Sequence, residues 1–206
     1  MFNVEEILLT APAILFGLTI HEFTHGYAAL VLGDPTAKEQ GRLTLNPLKH
    51  LDPLGTILLL LPWTRFGWAK PVPINASNFR NPLRDLAISA LAGPLANFFT
   101  ALIASLVVRL LSLVAVGGFA WRIAYYFVIY NLILCFFNLI PIPPLDGSRL
   151  IYYLLPADLA ARYGRLEEYG LFGIVMIFLF GMPIFRFLLL PLVFTTARLI
   201  TGYGGI

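Results

Sequence analysis

Residues 7–32 read ILLTAPAILFGLTIHEFTHGYAALVL, an apolar run long enough for a membrane-crossing helix, since about 20 such residues suffice. The run stops at Gly33-Asp34-Pro35, a strong helix breaker. Within it, at 21–25, lies a cluster of ionisable side chains, HEFTH. The rest of the chain has the same character. Of 206 residues, 59% are hydrophobic and 12% charged, whereas a soluble domain carries about 25% charged residues. So few charges cannot cover a globular surface, and the apolar residues fall in long runs, so the lipid bilayer is the expected solvent. The net charge of +3 fits basic loops beside anionic lipid and offers no footing for nucleic acid. Met1 to Glu6 is acidic, unlike the start of a cleaved signal peptide. Cys135 is the single cysteine and lies in an apolar run, which excludes an intrachain disulfide.

Leu86–Val108 and Ile123–Ile142 are further runs of spanning length, the second closed by Pro141, Pro143 and Pro144. A last block, Leu171–Thr195, is interrupted by Pro183 and Arg186 and reads as one kinked helix or two shorter ones. Leu54–Trp63 is only ten residues long, which suits a re-entrant or interfacial piece. Asp146 is expected to open a short helix over Gly147–Leu155. In the polar loop after the first span, alternation predicts a short strand at Arg42–Leu45, and the proline-rich segment Thr64–Arg84 reads as an extended loop with a second strand expected at Lys70–Ile74. Seven Lys and Arg residues in that loop favour a cytoplasmic side for it, although Arg149, Arg162 and Arg165 make a similar case elsewhere. The expected fold is an all-α integral membrane bundle of about four to six membrane segments, some short or re-entrant, with a small β element in the loop after the first span. Residues 1–206 are expected to form a single polytopic membrane domain.

His21-Glu22-Phe23-Thr24-His25 is an H-E-x-x-H motif. On a helix its histidines stand at i and i+4, on one face, where both imidazoles reach one Zn²⁺. Glu22 lies about 100° around the axis, within reach of a water to act as general base. The bland alternative is a polar cluster that glues helices together. That does not explain the spacing, and a glutamate at membrane depth costs a few kcal/mol. A catalytic zinc takes three protein ligands and keeps one position open. The only other histidine, His50, sits in polar company and reads as a solvated or interfacial residue. Most acids do the same. Asp146, in Asn138-Leu-Ile-Pro-Ile-Pro-Pro-Leu-Asp-Gly147, stands apart beside a helix broken at membrane depth. It reads as the third ligand or as the N-cap of the helix that follows.

HEFTH at 21–25, AGPLAN at 92–97 and NLIPIPPLDG at 138–147, with GRLTLNPLKHLDPLG and FGWAKPVPIN between them, resemble the site-2 proteases. These are intramembrane zinc metalloproteases, and the likeness is to short bacterial members without a PDZ domain. It covers nearly the whole chain. The resemblance implies His21, His25 and Asp146 as zinc ligands, Glu22 as the catalytic base, and Asn97 and Asn138 as substrate-binding or oxyanion residues. A helix–helix hydrogen bond is the competing reading for Asn97, and a cap on the broken helix is the competing reading for Asn138. The expected activity is zinc-dependent endoproteolysis in or near transmembrane segments of membrane-protein substrates, in a bacterial cell membrane. A membrane metal transporter and a catalytically inactive scaffold are the rival functions.

Overall fold

The computed structural model describes residues 4–53, 55, 69–115, 117–166 and 185–203. Among them the architecture is all-helical. Helix α1 (Val4–Leu32) carries Glu5 and Glu6 in its first turn, where the helix dipole favours acids. It ends at Gly33, whose φ of 113° is open to glycine and strained for other residues. A single turn, α2 (Thr36–Glu39), follows. Helix α3 (Pro82–Leu113) starts with Pro82 at its first position; Asn81 Oδ1 accepts from Arg84 N–H at 3.4 Å, and Asp85 Oδ2 accepts from Asn81 N–H at 3.0 Å. Helix α4 (Phe119–Asn138) leads through the proline-rich turn to α5 (Asp146–Leu154) and α6 (Ala157–Gly164). A π-helical turn, Phe185–Leu189, runs into α7 (Leu190–Thr201).

Helices α1, α3 and α4 are long and apolar enough to cross a membrane. They pack against one another in all three pairings, and α5 packs on α3. Ala101, Ala104 and Val108 of α3 meet Ala124, Val128 and Leu132 of α4 and Val193 and Ala197 of α7. Small side chains at these contacts let backbones approach closely, as helices in lipid require. On its outer side α3 exposes Phe99, Ile103, Leu106 and Leu110, a stripe at helical spacing that faces hydrocarbon without cost.

Among the described residues the expected β element is not present. Neither Arg42–Leu45 nor Lys70–Ile74 forms a strand, and the described residues hold only an isolated antiparallel bridge between Leu51 and Ala69. The reason is where the backbone donors go. Arg42 and Leu43 N–H turn back to the Ala37 carbonyl at 2.8 and 3.1 Å. Pro71 and Pro73 have no N–H, and the Val72 N–H donates to the Glu22 carboxylate at 2.8 Å. The segment 70–75 is instead an extended strap laid along the end of α1. Of the short apolar piece Leu54–Trp63 only residue 55 is described, and residues 171–184 of the last apolar block also lie outside the described residues.

Asp34, fully buried just beyond α1, ties the strap down. Its Oδ1 accepts from Thr36 N and Asn78 Nδ2 at 3.1 and 2.7 Å and from the Thr36 hydroxyl, while Oδ2 accepts from Asn75 N at 2.7 Å. Burial alone raises the Asp34 pKa, but these donors outweigh it and hold the carboxyl below its ordinary 3.8. A depressed carboxylate pKa stabilises the fold above the unfolded value and stops doing so as pH falls through the folded one. Asp34→Asn is expected to cost on the order of 2 kcal/mol at neutral pH. Thermal melts in detergent check this: the gap to wild type should hold at pH 5–7 and narrow below about pH 4. A gap independent of pH would show that the charge is not the stabilising feature.

Candidate metal centre

Two ridges build the site. Gly17, His21 and His25 follow one another at four-residue intervals on α1, and Ser89, Gly93 and Asn97 do so on α3. The ridges run antiparallel, so that Asn97 meets Gly17 and His21 while Ser89 meets His25. Gly93 stands between the two histidines. A Cβ there would overlap His25 Nε2 and lie 2.6 Å from His25 Cε1 and 2.8 Å from His21 Cε1. Only a residue without a side chain lets the ring pair sit against α3.

Each imidazole is oriented through Nδ1. His25 Nδ1 lies 2.8 Å from the Ser89 carbonyl oxygen, which can only accept, so Nδ1 carries the proton. His21 Nδ1 lies 2.7 Å from Asn97 Oδ1. The Asn97 amide cannot flip, because its Nδ2 donates to the Gly17 carbonyl and to Asn131 Oδ1, both at 2.9 Å. Asn131 Nδ2 in turn donates to the Phe127 carbonyl at 2.9 Å. Both rings therefore present the Nε2 lone pair on the same side. Asn97 and Asn131 are fully buried. The sequence reading missed Asn131, whose only signal was an amide alone in an apolar helix.

Asp146 arrives from the far side of the chain. The turn after α4 brings it in, steadied by the Tyr163 hydroxyl, which donates to the Pro141 carbonyl at 2.8 Å. Leu145 occupies the cap position of α5 without a side-chain cap, and Asp146 points at the histidines instead. Its Oδ2 is 3.1 Å from His21 Nε2 and 3.2 Å from His25 Nε2, and the two Nε2 atoms are 3.0 Å apart. Oδ2 is buried and has no hydrogen-bond partner. Three electron-rich atoms so placed repel one another unless a cation lies among them. Ligands about 2.0–2.1 Å from a tetrahedral zinc are about 3.3 Å apart, close to this triangle. The donor set, two imidazoles and a carboxylate, also suits zinc. Among the described residues, this is the group of three or more ionisable side chains able to hold a metal ion.

Glu22 is buried beside the trio, its Oε2 accepting from Val72 N at 2.8 Å. Asn138 is half-buried at the end of α4, and its Nδ2 donates to the Leu134 carbonyl at 2.9 Å. His50 is buried rather than solvated, with Nε2 bonded to the Thr44 carbonyl at 2.8 Å. It folds its own loop and is not part of the metal trio.

Residues 112–182 match the profile of Peptidase family M50. Over 185 residues the chain is 40% identical to a Bacillus subtilis (strain 168) protein named "Putative zinc metalloprotease YwhC", across 87% of this chain and 83% of that protein. A Mycolicibacterium smegmatis protein named "Putative zinc metalloprotease Rip2" is 28% identical over 179 residues, 84% of this chain and 68% of its own length. The protein of the same name from Mycobacterium tuberculosis (strain ATCC 25618 / H37Rv) is 27% identical over 168 residues, 80% of this chain and 64% of its length. No solved structure matches the chain.

Gly93→Ala is expected to push α3 off the imidazole pair and to weaken metal retention about 10- to 100-fold. Zinc per chain, measured by elemental analysis after dialysis against graded chelator, checks this. Wild-type retention would mean that the two ridges part without disturbing the ligands.

Proposed function

The chain belongs to peptidase family M50, the site-2 proteases, and is a zinc metalloprotease; from that premise we propose that it is an intramembrane endopeptidase, cutting peptide bonds in or near transmembrane segments of membrane proteins. One observation carries this reading. His21, His25 and Asp146 converge beside a buried glutamate on a helix long and apolar enough to cross a membrane. In this reading His21 Nε2, His25 Nε2 and Asp146 Oδ2 hold the zinc. When bound, the metal supplies Lewis-acid chemistry, making a water nucleophilic near neutral pH and drawing charge from the scissile carbonyl.

The chain's own groups do the rest. Glu22 has Oε2 engaged by the Val72 N–H, which leaves Oε1 to take the proton of the attacking water and return it to the leaving nitrogen. Asn97 acts on His21 rather than on substrate, since its amide is bonded to His21, Gly17 and Asn131 in a fully buried position. Asn138, beside the turn that delivers Asp146, is the residue whose amide oxygen would meet a substrate N–H. A substrate helix must unwind before its carbonyls are accessible, because a helix keeps them in internal hydrogen bonds. The whole chain then works as one multi-pass domain in a bacterial cell membrane, with the bilayer and a membrane-protein substrate as its partners. The matched relatives named above are bacterial proteins.

Two variants test the reading. Glu22→Gln should keep zinc and lose turnover of a model transmembrane peptide by at least about 1000-fold. Asp146→Ala should lose zinc on mild chelation, together with activity. Undiminished cleavage by Glu22→Gln would end the assignment of the base, and full zinc retention by Asp146→Ala would end that of the third ligand.

A further inference from the structure

The strap at residues 70–75 is a tether on one side of Glu22, and something must hold the tether. Arg42 does so. Its Nη2 donates to the carbonyl oxygens of Lys70 and Pro71 at 2.8 and 3.2 Å. The Pro71 carbonyl and the Val72 N–H are the two ends of one planar peptide group. The guanidinium thus grips one end of that group, and the Glu22 carboxylate accepts from the other at 2.8 Å. We propose that Arg42 is a positioning residue for the catalytic base, acting on Glu22 through the Pro71–Val72 peptide; the proposal rests on Glu22 being that base.

The surroundings give this peptide little freedom. Pro71 and Pro73 fix φ on either side of Val72 and leave its N–H as the only amide donor at 71–73. The Val72 side chain is buried against Gly26, one turn after Glu22 on α1. A Cβ at Gly26 would stand 3.0 Å from Val72 Cγ1, so the absent side chain is what lets the strap lie flat there. Lys70 N donates to the His50 carbonyl at 2.8 Å, and Asn75 N is held by Asp34. Both ends of the strap are pinned, and Arg42 sets the tilt of the peptide between them. A cation on the carbonyl also polarises the group and strengthens its N–H as a donor. The effect is to fix Oε2 and so to aim Oε1. Arg42 itself is two hydrogen bonds from Glu22, which makes it a positioning group and not a catalytic one.

The test uses the full chain, purified and zinc-loaded, with a transmembrane peptide substrate. Arg42→Ala should keep its zinc and its melting temperature, lower kcat about 30- to 100-fold, and leave KM within about twofold. Arg42→Lys should recover much of kcat, because an ammonium can still donate to the Pro71 carbonyl. In the Glu22→Gln background Arg42→Ala should have no further effect on the residual rate, since its action passes through Glu22. If Arg42→Ala fails to fold, Arg42→Gln, which keeps a neutral donor, takes its place with a smaller expected loss of kcat. The proposal is overturned if the chosen variant keeps kcat within threefold, if the loss falls on KM, or if it tracks a loss of zinc or melting temperature. It is also overturned if Arg42→Ala lowers the Glu22→Gln rate as much as the wild-type rate. Undiminished turnover by Glu22→Gln itself would instead remove the premise that Glu22 is the base.

Discussion

Three lone-pair atoms, His21 Nε2, His25 Nε2 and Asp146 Oδ2, stand within 3.0–3.2 Å of one another in a largely buried site. In a medium of low dielectric constant this grouping is repulsive until a cation joins it, and a chain free to relax would pull it apart. Much of the described structure serves to prevent that. The Ser89 carbonyl and the Asn97 amide hold the rings by Nδ1, Asn131 holds Asn97, and Gly93 removes the side chain that would wedge the helices open. The cost of the arrangement is borne by helix packing, and the binding energy of a cation among the three atoms would offset it.

The helices meet on ridges with a four-residue repeat, and the same repeat spaces the histidines. Packing and chemistry are therefore one pattern on α1: the face that fits against α3 is the face that carries the two histidines. This places the candidate metal centre between packed helices, where water is scarce and where a buried amide must find its partner in protein. Asn97 and Asn131 find each other and two helix carbonyls, and so add glue between α1, α3 and α4 while fixing a tautomer.

The polar loop after α1 works in the same way on Glu22. It was legible as a loop, because prolines, asparagines and charges cluster there, yet its alternation pointed to strands that do not form. Alternation records which side chains face inward and not where backbone N–H groups go. Here two prolines removed the ladder donors at 71 and 73, and the remaining amide went to a side chain on α1. Arg42 looked like one more loop cation among seven. Its two carbonyl partners lie 28 and 29 residues ahead, a separation over which no local pattern gives a signal.

What the amino-acid order determined by itself was everything that depends on short spacings and on solvent. Helices α1, α3 and α4 follow from apolar runs of membrane length. The pairing of His21 with His25, and of both with Glu22, follows from 3.6 residues per turn. Asp146 stood out because an acid beside a broken apolar helix needs a partner; in the fold Leu145 takes the cap position and the turn before α5 aims Asp146 at the histidines. Only the tertiary structure decided which groups hold the two imidazoles and the Glu22 carboxylate in place. Those holders are amides and carbonyls, present at nearly every residue, and they acquire an identity only when folding sets their direction.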